Sequence, residues 1–293
     1  MRSFVLSLLF VTGVIILAAL LAPHAISLVE DAKLERMLRH IGRILLLIGM
    51  FAMFRILLVN NREALGYGQP RGDFLKSMAI GWLSGIAILG TLVLILMTTG
   101  VLVFDSGRPN DELINKVLYH LVSGALAGLL IGFFEETFFR GMVYSSVKRE
   151  SGIISAVILS ALLYSSMHFL ITAKHPVGAA LTWDSGLVLL PGIWQHVTTT
   201  GIMDSFFALF IAGIFLALVR EFTGSIALAI GIHAGWVTVI KTTKYLTDNN
   251  HDSGLAWLVG NYDGITGIMG ALLLLLLALP FITAIKIKKE ESA

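Results

Sequence analysis

The sequence predicts an all-α integral membrane protein with about eight transmembrane helices, and three observations carry that reading. Of 293 residues, 56% are hydrophobic and only 14% are Asp, Glu, Lys or Arg, against about 25% charged in soluble domains. The apolar residues gather into runs of about 20, the length that crosses a bilayer core. The few ionisable groups inside those runs are concentrated rather than scattered, as expected where each is costly to insert.

The first run, 4–29, is longer than the apolar region of a signal peptide, about 7–15 residues, and lacks a small-x-small cleavage site. It reads as a retained span. Further runs cover 41–59, 77–103, 117–145, 153–172, 205–220, 225–246 and 263–285. Charged stretches at 30–43, 60–76, 148–152, 220–224 and 248–263 read as interfacial turns and loops. Segment 173–204, with Pro176, Pro191, Trp194, Gln195 and His196, reads either as an ordinary long loop or as a re-entrant hairpin or lid. Asp204 and Asp263 stand where helix N-terminal capping explains them.

Eight spans put both termini on one side. That side collects eleven Lys and Arg against nine on the other, and with Lys286, Lys288 and Lys289 at the end of the chain it is expected to be cytoplasmic. A bacterial inner membrane is the expected location.

No cysteine is present. That excludes disulfides and thiolate-held zinc, haem or iron–sulfur centres, so a metal would need His and carboxylate ligands. The net charge is +2 with no basic stripe, which excludes nucleic acid as a partner. The expected partners are the lipid bilayer and a peptide or membrane-anchored protein substrate.

The chemistry concentrates in Phe133-Phe134-Glu135-Glu136-Thr137-Phe138-Phe139-Arg140-Gly141 on the fourth span. Glu136 and Arg140 are four apart and can pair on one helix face. Glu135 lies about 100° further round and has Phe139 as its own neighbour four residues on, so it is the carboxylate free to do chemistry. His168 on the fifth span and His233 on the seventh supply two imidazoles. Counted at about 1.5 Å per residue, Glu135 lies roughly 20 Å from Lys148, His233 roughly 20 Å from Arg220 and His168 roughly 24 Å from Gly152. One shared layer follows. A carboxylate with two imidazoles can activate water and stabilise an oxyanion, directly or through a metal.

The pattern Glu135-Glu136-x-x-x-Arg140-Gly141, then His168, then Gly224-Ser225-Ile226 leading to His233-Ala234, resembles the CPBP family of CAAX-processing and bacteriocin-processing membrane endopeptidases. The resemblance covers roughly residues 120–240. It implies eight helices enclosing an internal cavity, with a catalytic core at 117–246 between three N-terminal helices in 1–116 and a last helix with its tail in 247–293. It further implies that Glu135 and His168 activate water, that His233 stabilises the oxyanion and that Glu136 and Arg140 support the site. Both a glutamate-dependent mechanism and a divalent metal such as zinc fall within that resemblance. Were a metal used, Glu135, His168 and His233 would hold it, although the chain has no His-Glu-x-x-His pair.

Two positions depart from the family. Tyr164 stands where Phe is usual, and Val237 stands where an Asn donor is usual; the Trp236 indole is the nearest replacement donor. The leading function is an intramembrane endopeptidase. Val237 keeps a second class open, a non-catalytic scaffold or immunity-type protein of the same fold. A transporter is the third, disfavoured because no broken spans repeat between the two halves.

Overall fold

The computed structural model describes residues 1–29, 32–105, 107, 112–170, 172–176, 178–199 and 202–291. The long helices are α1 (Arg2–Ala25) and α2 (Leu34–Ile56). After a single turn, α3 (Arg62–Leu65), come α4 (Arg71–Thr98) and α5 (Leu113–Glu136). A π-helical stretch, Thr137–Val143, leads from α5 into α6 (Tyr144–His168). Two short helices follow, α7 (Ser185–Val188) and α8 (Pro191–Thr199), and then α9 (Met203–Thr223), α10 (Ala227–Leu246) and α11 (Ile268–Glu291).

The protein is an all-α integral membrane protein. Among the described residues six helical runs are long and apolar enough to cross a membrane: Arg2–Ala25, Leu34–Ile56, Arg71–Thr98, Leu113–His168, Met203–Thr223 and Ile268–Lys288. The fourth has 56 residues, about 84 Å if straight, far more than a hydrocarbon core of about 30 Å. It is broken at Gly152, whose φ of 80° and ψ of 177° are not helical. The sequence count of eight differs in dividing this run at Gly152 and in counting α10, which carries His233, Lys241 and Lys244 among its apolar residues.

α10 lies between α4 and α5, and glycines explain how closely they approach. Gly124, Gly128 and Gly132 recur every four residues on α5, so they line one face. A Cβ added at Gly128 would meet the Ala234 carbonyl oxygen at 2.6 Å, and one at Gly132 would meet the Ile230 carbonyl oxygen at 3.0 Å. On the other side Gly81 and Gly85 of α4 face Gly231 and Gly235 of α10, each backbone against the other. This is the small-x-x-x-small packing by which membrane helices gain dispersion contact without a hydrophobic driving force. Trp82 Nε1 also donates to Thr238 Oγ1 at 3.2 Å.

α6 packs on α9, α9 on α11, and α1 on α2. The chain start is tied to the Gly152 turn: the Met1 amine donates to Glu150 Oε2 at 3.0 Å and to Ser151 Oγ at 2.8 Å. At the same end Lys288 Nζ donates to the Phe222 carbonyl at 3.3 Å. Both chain ends therefore lie at one face of the bundle. The opposite face carries an antiparallel ribbon of β1 (Leu102–Phe104) and β2 (Thr247–Asn249), with Val103 opposite Asp248. The sequence reading ran the third span on to 103, whereas α4 stops at Thr98, where the Gly100 turn (φ 69°) releases the chain into the ribbon.

The described part of segment 173–204 folds back on itself, with the Ala173 amide donating to the Leu189 carbonyl at 3.0 Å. It docks on α1 and α2: Gly186 abuts the Ala19 carbonyl, and Leu189 shares an apolar cluster with Ala18, Ala22, Leu34 and Leu38. The side chain of His196 lies outside the described residues.

Candidate active site

Glu135 ends the last turn of α5, His168 ends α6, and His233 lies two turns into α10. Their side chains converge. Glu135 Oε2 is 4.0 Å from His168 Nε2 and 3.9 Å from His233 Nε2. That oxygen is buried and makes no hydrogen bond among the described residues. The glycine face of α5 delivers one half of this meeting, since a Cβ at Gly132 would touch His233 Cβ at 3.4 Å.

Each imidazole is oriented through its other nitrogen. His168 Nδ1 lies 2.8 Å from the Tyr164 carbonyl oxygen, which can only accept, so Nδ1 carries the proton. His233 Nδ1 lies 3.0 Å from Glu136 Oε1, to which it donates. In its neutral form each ring turns an Nε2 lone pair toward Glu135. His233 donates through Nε2 only as the doubly protonated imidazolium.

Glu136 and Arg140 are fully buried and paired, Nη1 to Oε1 at 2.9 Å. Arg140 Nη2 also donates to the Gly213 carbonyl on α9 at 3.1 Å, and its guanidinium lies 4.6 Å from the Tyr164 ring centroid. One carboxylate oxygen thus serves both Arg140 and His233. The sequence spacing reveals the Glu136–Arg140 partnership; it does not reveal that Glu136 also sets the ring of His233, because that contact joins residues 97 apart.

The π-helical stretch begins immediately after Glu136, and such a widened turn shifts the register of everything that follows it. It is fastened from outside the membrane-spanning helices. Tyr67, after α3, hydrogen-bonds Thr137 Oγ1, which donates in turn to the Phe133 carbonyl. Burial pushes the Tyr67 phenol above its ordinary pKa, so it remains a neutral donor.

These groups line a cavity of about 610 Å³. Its walls are largely apolar, with Ile88, Leu89, Leu92, Leu209, Ile240 and Leu273 among them, and Tyr164, Trp236, Val237 and Tyr262 line it as well. The Tyr262 ring is 6.1 Å from that of His168. Sequence reasoning missed Tyr262, whose loop position carries no periodicity. It also passed over Arg43, Lys241 and Lys244, which line the same cavity.

The donor set does not fit zinc as placed. Tetrahedral ligands about 2.0–2.1 Å from the metal lie roughly 3.4 Å from one another, whereas the separations to Glu135 are 4.0 and 3.9 Å. Among the described residues no group of three or more His, Cys, Asp and Glu could hold a metal ion.

The fold and this geometry define a class: a helical membrane protein enclosing a carboxylate and two oriented imidazoles in an apolar cavity. Residues 117–239 match the family model described as Rce1-like type II CAAX prenyl endopeptidase, so that stretch of the chain is similar to that family. No curated protein and no solved structure matched the chain.

Proposed function

We propose that the chain is an intramembrane endopeptidase that hydrolyses a peptide bond of a CAAX-type or other membrane-associated peptide substrate. The carrying observation is the pair of separations near 4 Å around a buried Glu135 oxygen that makes no hydrogen bond among the described residues. They are too long for direct hydrogen bonds, but a water about 2.8 Å from an oxygen and a nitrogen roughly 4 Å apart donates one hydrogen to each at an angle near 90°.

In this reading Glu135 and His168 hold such a water, and its oxygen attacks the scissile carbonyl carbon while its proton passes to one of them. His233, as imidazolium held by Glu136, donates through Nε2 to the oxyanion. The tetrahedral species collapses, the C–N bond breaks and the stored proton leaves on the amine. Glu136 and Arg140 hold His233 and the π-helical stretch in place. Water activation of this kind contributes roughly 10²–10⁴-fold.

The helices before residue 117 and after 246 frame this 117–246 core. Termini in the cytoplasm of a bacterial inner membrane complete the assignment.

The test is cleavage of a lipid-anchored peptide by the purified protein in liposomes. Glu135→Gln and His168→Ala are each expected to lower the rate by about a hundredfold or more. Undiminished cleavage by Glu135→Gln removes it from the chemistry. Val237 favours a second reading, a peptide-binding scaffold of the same fold, because valine offers no side-chain donor. That reading requires the Glu135→Gln protein to support cellular function fully.

A further inference from the structure

The first half of α2 carries basic groups on one face only. Arg36, Arg39, His40 and Arg43 are all exposed, and at about 100° per residue they fall within an arc of about 100°. Leu34, Leu38, Ile41 and Leu45, which join the apolar cluster against α1, occupy an arc of about 60° centred on the opposite side. The helix therefore buries one face and presents the other as a basic stripe. None of the four basic side chains has an ion-pair or hydrogen-bond partner among the described residues. Glu30, Asp31 and Glu35 all precede Arg36 in the sequence, Glu35 lies outside the arc, and the next acid is Glu63. Of the four, Arg43 alone lines the central cavity.

The stripe reaches below the membrane surface. Between Arg43 and Arg55 the helix has only residues 44–54, eleven without a polar side chain, which cover about 16 Å of a hydrocarbon core of about 30 Å. α1 packs alongside with 24 residues, so the bilayer at this place is not short of helix to span it. Arg36 stands about 10 Å nearer the surface than Arg43. Long arginine side chains at such depth turn toward the headgroups. A second observation marks the same level. Leu189 packs with Leu34 and Leu38, and on the segment it belongs to Trp183 is 65% exposed and Val188 67% exposed. Exposed tryptophan beside a spanning helix is characteristic of the membrane–water interface.

We propose that Arg36, Arg39 and Arg43, with His40, form a docking surface for the phosphate of an anionic phospholipid in the leaflet away from the chain ends. Guanidinium forks match phosphate oxygens in a bidentate manner, and the stripe is built of arginines without a lysine. Basic residues clustered at the membrane end of a helix attract anionic lipids. A soluble acidic partner would have to pass the headgroups to reach Arg43, whereas a lipid phosphate already lies beside it. This surface is independent of what happens at Glu135, and binding to it needs no turnover.

The test is a binding measurement on the full chain in detergent micelles. The probes are phosphatidylglycerol and phosphatidylcholine carrying the same fluorescent acyl tail. The wild type is expected to bind phosphatidylglycerol about tenfold or more tightly, the size of a charge-assisted hydrogen bond. An Arg36→Gln, Arg39→Gln double variant should lose that preference while binding phosphatidylcholine as the wild type does, which reports that it has folded. Should the double variant fail to bind phosphatidylcholine, Arg39→Gln alone carries the test and is expected to lower the preference about threefold or more. Arg62→Gln, Arg71→Gln removes two exposed cations elsewhere and should leave the preference intact. Equal affinity of the wild type for the two lipids overturns the proposal, as does a preference that survives in the Arg36 and Arg39 variants or falls equally in the Arg62 and Arg71 variant. A glutamate decapeptide that displaces the labelled phosphatidylglycerol at lower concentration than unlabelled phosphatidylglycerol also overturns it, in favour of an acidic protein partner.

Discussion

At the scale of single residues, the site is built on one shared oxygen. Glu136 Oε1 accepts from both Arg140 and His233, inside a bundle where neither Glu136 nor Arg140 touches solvent. Removing one partner of a buried ion pair leaves the other uncompensated, at a cost of about 3–5 kcal/mol. Arg140→Leu is thus expected to lower the denaturation midpoint of the detergent-solubilised protein sharply, whatever its effect on cleavage. Tyr164 makes a contrasting case. Its ring lies beneath the Arg140 guanidinium and 4.5 Å from the His168 ring, and phenylalanine preserves both contacts. Tyr164→Phe should keep cleavage within about threefold, whereas Tyr164→Ala opens a cavity costing about 3–5 kcal/mol. A large loss of rate in Tyr164→Phe at unchanged stability would assign chemistry to the hydroxyl.

At the scale of elements, α10 is set by what its neighbours lack. Gly128 admits the Ala234 carbonyl so closely that any Cβ there must displace it, and displacement of α10 carries His233 away from Glu135. Gly128→Leu is expected to abolish cleavage and reduce stability. Gly90→Ala, a position on α4 with no atom within 4 Å, is the matched control and should behave as wild type or gain slightly in helix propensity. The sequence made much of this legible: the apolar runs, the Glu136–Arg140 spacing and the meeting of Glu135 with two histidines all follow from period, cost and order. The glycine faces were equally readable as Gly124-x-x-x-Gly128-x-x-x-Gly132 and Gly231-x-x-x-Gly235, yet which helix each would face was not, because a small-residue stripe specifies closeness and leaves the partner open. The depth of His233 was argued from Arg220, although the left-handed Gly224 (φ 69°) turns the chain between them and α10 starts only at Ala227. The ribbon of β1 and β2 is too short, at three residues a strand, to leave a periodic signal.

At the scale of the whole molecule, the groups proposed to react lie within a bundle whose two faces differ. Both chain ends occupy one face, while the ribbon and the 250–267 loop occupy the other, beside the cations of the cavity. Because the chain contains no cysteine, single cysteines report sidedness without background. A cysteine at His251 is expected to react with an impermeant maleimide from outside intact cells, and one at Arg2 only after permeabilisation; the reverse pattern inverts the proposed orientation.

The size of the cavity has a consequence for whatever enters it. A helix with its side chains is about 10–12 Å across, so its cross-section is roughly 80–110 Å², and about 610 Å³ accommodates little more than a single turn. On the proposed endopeptidase reading, a long membrane-borne helix is not expected to enter it intact. It must surrender its internal backbone hydrogen bonds first, in a setting where unsatisfied amides are costly. If the chain is the proposed endopeptidase, sequences that resist helix formation near the cut have already made that sacrifice, and ease of unwinding is expected to rank one substrate above another as much as side-chain fit does.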